Sequence, residues 1–166
     1  MHLAQLNIAE GRYPMTDARM TSFTGRLKAI QSLAERSPGF VWRDLTDGED
    51  ADFSDLASAE SKHGLIVNIS VWDSVKSLFA FTYKTAHAKV MQDNRDNFNP
   101  LAKNHFVLWW IAKGKFPTGL EAKEKLLYLR ANGASPEAFT FNLPFSQTGQ
   151  PIKFNFPKKD LSLIHI

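Results

Sequence analysis

The sequence contains no cysteine. That removes disulfides, thiol nucleophiles and cysteine-ligated zinc from consideration. No apolar run approaches the ~18 residues that a membrane span needs, and no short apolar segment of the signal-peptide kind opens the chain. A soluble cytoplasmic protein without membrane contact is expected. Lysine and arginine form no stripe interleaved with aromatics, and the formal net charge is only +3. Nucleic acid is therefore not an expected partner. His2, His63 and His105 show no metal-ligand spacing with one another or with carboxylates, so no metal site is expected.

What is present suits one globular domain. A chain of 166 residues, 43% hydrophobic and 12% aromatic, is long enough to bury a core. Its most informative stretch is residues 65–98, LIVNISVWDSVKSLFAFTYKTAHAKVMQDNRDNF. Leu65, Val67, Ile69 and Val71 alternate with Ile66, Asn68, Ser70 and Trp72, the period of a strand with two unlike faces. The aliphatic face calls for cover by helices. The face with Asn68 and Ser70 calls for a more polar neighbour. Asp73 suits an N-cap. Tyr83, His87, Met91 and Arg95 then form an i, i+4 row on one face of a helix, provided that the helix is continuous.

The rest of the chain supplies the remaining elements. HLAQLNIA (2–9) is a first strand with Gln5 and Asn7 on one side. Thr16 or Asp17 caps a helix with the apolar row Met20, Phe23, Leu27, Ile30 and Leu33, stopped by Ser37-Pro38-Gly39. Residues 40–45 read as a second strand. Residues 46–63 are acidic, small and polar, and read as a long, partly mobile connection able to act as a lid. HFVLWWIA (105–112) is a fourth strand. Thr118 and Glu121 form a capping box for a third helix that Gly133 ends. Residues 142–166 read as an extended tail. Its last six residues, LSLIHI, match a forward translation of a common sequencing adaptor and are left out of functional reasoning. The order strand, helix, strand, strand, helix, strand predicts an α+β, ferredoxin-like βαββαβ domain with an antiparallel sheet over residues 1–141. Its uncovered polar face is expected to meet a second copy of the sheet, giving a homodimer around a pocket.

HLAQLNIA, SPGFVWR, NISVWDSVKSLFAFTYKTAHAKVM, LWWIAKGKFPTGLEAKEKL and SPEAFTF together resemble the bacterial domain-of-unknown-function family 3291. That family is grouped with the dimeric α/β-barrel superfamily, beside antibiotic-biosynthesis monooxygenases. The resemblance implies the fold and leaves the activity open, because that superfamily holds cofactor-free oxygenases, haem enzymes, isomerases and plain ligand binders. The chain departs from the family's expected Arg-rich run after His87, keeping only Arg95.

Four groups of residues are candidates for chemistry. His87 is a general base or a haem ligand. Asn7 and Asn68, at matching strand positions, are amide donors for a developing oxyanion, with Gln5 and Ser70 beside them. Trp42, Trp72 and Trp109 are candidate aromatic walls, and Trp110, adjacent to Trp109, points to the opposite face. Tyr83 and Arg95 share the row of His87 and suit a substrate oxygen and a carboxylate. Arg43 and Asp44 read as edge residues. Three functional expectations follow. One is a monooxygenase acting without a cofactor on a small aromatic or polyketide-like ligand. The second is a haem enzyme. The third is a non-enzymatic dimer whose pocket is filled by side chains such as Trp42 and Trp109.

Overall fold

The computed structural model describes residues 1–58, 63–101 and 103–153. Its elements are β1 (His2–Gly11), α1 (Thr21–Arg36), β2 (Phe40–Arg43), β3 (Leu65–Trp72), α2 (Val75–Lys84), α3 (Ala86–Asp93), β4 (Phe98–Asn99), β5 (Phe106–Ile111) and α4 (Gly119–Asn132). All strand pairings are antiparallel. β1 lies between β3 and β5, β2 flanks β3, and the two-residue β4 pairs with the end of β1 at Glu10 and Gly11. The spatial order β2-β3-β1-β5 is that of a ferredoxin-like α+β sheet, with α4 added behind it.

Local chemistry places the helix ends. Asp17 caps a short 3-10 turn that leads into α1. Gly39 makes the turn into β2 at φ +86°, where a side chain would run into Ser77 and Asp73. Its carbonyl accepts from Asp73 N at 2.7 Å, pinning the end of α1 to the start of α2. The cap of α2 is Ser74, one residue later than Asp73, because β3 runs on through Trp72 and Ser74 is the last extended residue; its hydroxyl accepts from Ser77 N. Thr118 accepts from Glu121 N at 3.1 Å, and Gly133 ends α4 at φ +75°.

The sheet has two covered faces. On one, Ala4, Leu6, Ile8, Val67, Ile69, Val71, Val107 and Trp109 pack against Ala122, Leu126 and Leu129 of α4 and against Phe53 and Leu56 of the long connection. On the other lie Gln5, Asn7, Asn68, Ser70 and Trp72, beneath α1, α2 and α3. The polar face is thus roofed by the chain's own helices, and the expectation that it lies against a second copy's sheet is corrected. The right-handed crossovers of the two βαβ halves put α1 and α2 on the same side, and the register Asn7↔Asn68 and Gln5↔Ser70 turns the amides toward them.

The acidic connection is docked where it is described. Both Asp50 carboxylate oxygens accept from Gly119 N, at 3.0 and 3.1 Å, at the start of α4. Lys123 Nζ pairs with Asp55 at 2.8 Å. Glu10, buried on β1, accepts from Ser58 N, Ser58 Oγ and Asn99 Nδ2. Residues 46–58 therefore sit over the aliphatic side and do not serve as a lid on the polar face; residues 59–62 lie outside the described ones. Beyond α4 the chain returns to pair Phe139 with Leu108 through two backbone bonds, of 2.7 and 2.9 Å. The adaptor-like residues 161–166 lie outside the described residues.

Candidate functional site

The helical run that follows β3 is broken. Thr85 is extended, at φ −121° and ψ −177°, and it separates α2 from α3. The last four carbonyls of α2 are left without helical partners. Thr85 Oγ1 donates to one of them, Phe81 O, at 2.6 Å. The ring of His87 takes another: its Nδ1 lies 3.0 Å from Thr82 O. A carbonyl only accepts, so Nδ1 carries the proton and Nε2 keeps its lone pair. The ring stacks at a tilt on Phe81, with centroids 4.8 Å apart. Burial depresses the imidazole pKa below the usual 6.5, opposed by the Thr82 bond. His87 is held neutral, in the tautomer that can accept a proton.

Opposite it, the middle of β1 and β3 carries a polar strip. Gln5 Nε2 donates to Asn68 Oδ1 at 2.6 Å and to Ser70 Oγ at 2.8 Å. Trp72 Nε1 donates to the same Ser70 oxygen at 2.9 Å. With two donors on its lone pairs, the Ser70 hydroxyl has only its own hydrogen left to offer. The oxygen of Asn68 is likewise engaged, which turns its N–H groups outward. Asn68 is exposed in mid-strand, because the space in front of it is a cavity.

That cavity has a volume of about 180 Å³ and lies between the polar face and α1–α3. Gln5, Asn7, Asn68, Ser70 and His87 face it. Phe23, Leu27, Ile30, Phe81, Val90 and Phe98 supply its apolar wall. A cavity of roughly 150 Å³ admits a benzene ring, so this one has room for a single substituted ring.

Trp72 and Tyr83 also line the cavity. Tyr83 is buried and packs on Phe79 and Phe141. Three expected substrate contacts lie elsewhere. Trp42 pairs with Val71 in register, so it faces the aliphatic side, where it stacks on Phe116 at 4.9 Å. Trp109 is buried in the core against α4. Arg95 is exposed in a 3-10 turn, because α3 ends at Asp93 before the i, i+4 row through His87 and Met91 reaches it. The pocket-filling role expected of Trp42 and Trp109 falls with these placements.

Sequence reasoning passed over Arg43, which lines the cavity from β2 opposite Ser70. The register shift between Phe40 and Trp42 turns it to that face, whereas an unbroken strand period would have put it on the other. Among the described residues, no group of His, Asp and Glu gathers to hold a metal ion, and no helix is long and apolar enough to cross a membrane.

A family model for a domain of unknown function, DUF3291, matches residues 2–154. Among solved structures, SnoaB, a cofactor-independent oxygenase from Streptomyces nogalater, is similar with a TM-score of 0.44 at 16% identity, over 70% of this chain and 97% of that one. A structure from Chloroflexus aurantiacus, assigned provisionally as an antibiotic biosynthesis monooxygenase, is similar with a TM-score of 0.42 at 15% identity, over 69% of this chain and 97% of that one. No curated protein sequence matches the chain.

Proposed function

The chain belongs to the DUF3291 family, whose description names no reaction, and from that premise we propose that its cavity is the active site of an oxygenase acting on a small single-ring hydroquinone without a cofactor. One observation carries the reading: a neutral imidazole with a free Nε2 and an unbonded pair of amides, Asn7 and the N–H groups of Asn68, share one apolar chamber.

In this reading His87 Nε2 removes the phenolic proton. The resulting phenolate is electron-rich enough to reduce O₂ itself, so the electrons come from the substrate. One oxygen atom forms a new C–O bond to the ring. The other leaves as water, carrying the proton that His87 returns. The ring loses four electrons and ends as a hydroxyquinone, which balances hydroquinone plus O₂ against hydroxyquinone plus water. The amides of Asn7 and Asn68 and the hydroxyl of Ser70 stabilise charge as it develops on oxygen, beside the apolar wall of the cavity. A depressed imidazole pKa keeps the base available below neutral pH.

The test is oxygen uptake by purified protein with methylhydroquinone, with ¹⁸O₂ as label and mass spectrometry of the quinone. Uptake above autoxidation and one labelled atom in the product are expected. His87→Ala should lower the rate by about 10²–10⁴-fold. Background uptake with an unlabelled product from the native chain would sink the reading.

A further inference from the structure

We propose that the cavity selects a ring bearing a carboxylate, with Arg43 as the residue that receives it. The inference deepens the proposed function, because it rests on the cavity being the substrate site.

Arg43 stands on β2 directly across from Ser70, on the same face as the polar strip. Its side chain is only 20% exposed. Its Nε donates to Glu35 Oε1 of α1 at 2.8 Å. That bond spends one edge of the guanidinium, fixes its plane and leaves the terminal N–H groups without a described protein acceptor. An arginine so held loses little further entropy when it forks a second carboxylate.

The position fits the mouth of the site. Past Leu27, Gln31 and Arg43, the cavity opens into a surface groove that also carries Lys28 and Glu35. The groove carries two cations and one anion, and Asp47 lies near enough to Arg43 to feel its charge without bonding to it among the described residues. A single guanidinium already paired with Glu35 suits the single charge of a carboxylate better than a phosphate dianion. Two strand spacings of about 4.8 Å separate β2 from β1, the scale of one substituted ring. A substrate with its carboxylate on Arg43 would place its ring under Leu27 and Ile30 and direct its far hydroxyl toward Asn7, Asn68 and His87. Arg43 is the one charged residue among the described residues that line the cavity, so no second cation there competes for the carboxylate.

The probes are 2,5-dihydroxybenzoate and 2,5-dihydroxybenzamide, which differ in charge and hardly in shape. Their affinities are measured anaerobically by titration calorimetry, with no turnover needed. The native chain should bind the acid about tenfold or more tightly than the amide. Arg43→Gln should bring the two within about twofold. Arg19→Gln, at an exposed arginine that does not line the cavity, should retain the preference, and circular dichroism of Arg43→Gln serves as the check on folding. Equal affinities in the native chain, absence of saturable acid binding, or a preference that survives Arg43→Gln would each overturn the assignment. Oxygen uptake without acid preference removes this inference alone; acid preference without oxygen uptake removes the oxygenase reading and leaves the carboxylate site.

Discussion

The two faces of the sheet are made by alternate residues of the same strands, yet they differ in kind. Ala4, Leu6 and Ile8 point one way into a dry layer against α4. Leu3, Gln5, Asn7 and Ala9 point the other way, into or beside a chamber. One face is closed by close packing, which supplies most of the driving force for folding. The other is closed by a helical roof that leaves space beneath it. The difference teaches that stability and chemistry are divided by the pleat itself: a substitution at position i and one at i+1 should fall on different properties.

The largest effect is expected on the packed face. Leu126 is fully buried among β-sheet side chains. Leu126→Ala should cost about 2–5 kcal/mol in urea unfolding while leaving the acid–amide preference of the folded protein unchanged. A lost preference would break the division. On the roofed face, Ser70→Ala removes the acceptor shared by Gln5 and Trp72. Stranding those donors should cost about 1–3 kcal/mol, and the oxygen-uptake rate should fall as well.

The pH dependence comes next. The folded-state pKa of His87 lies below its unfolded value of about 6.5. Between the two pKa values the unfolded chain binds the extra proton, so stability should fall as pH drops below about 6.5 and level off beneath the folded pKa. His87→Gln should flatten that part of the stability curve, whereas Leu126→Ala should lower it without changing its shape. The smallest effect belongs to Asn7→Ala, within about 0.5 kcal/mol in unfolding, since Asn7 makes no described hydrogen bond to lose. Its consequence should appear in turnover. A large stability loss there would mean that the amide is structural and would blur the contrast between the faces.

The fold was legible because its signals are local. Alternation in residues 2–9 and 65–72, the apolar row of α1, and the Thr118–Gly133 brackets of α4 each declare an element without reference to the rest. The membership of the polar strip was legible for the same reason: Gln5, Asn7, Asn68 and Ser70 follow from period and pairing. What covers each face was not. Alternation says that two faces differ and is silent on which one the crossover helices take. Tyr83 and His87 were put on one continuous helix because Thr85 has no composition signal for a break, threonine being at home both inside a helix and at its cap, and Arg95 was misplaced because no glycine or proline marks the end of α3 at Asp93. Trp42 was misplaced because the register between Phe40 and Trp42 shifts, which turns its side chain to the other face. Arg43 was passed over because an edge arginine on a short strand reads as ordinary solvated surface.

The one extended residue at Thr85 carries a consequence for how this family can vary. Each helical residue turns the chain by about 100°. The carbonyl of Thr82 and the ring of His87 meet only at their present separation of five positions. Exchanges at the exposed Lys84 and Ala86 leave the meeting intact, but one residue added or removed would swing the imidazole out of the chamber. Insertions and deletions should therefore be rarer between positions 82 and 87 than anywhere in the acidic connection, a bias that counting gaps among family members would reveal without a single assay.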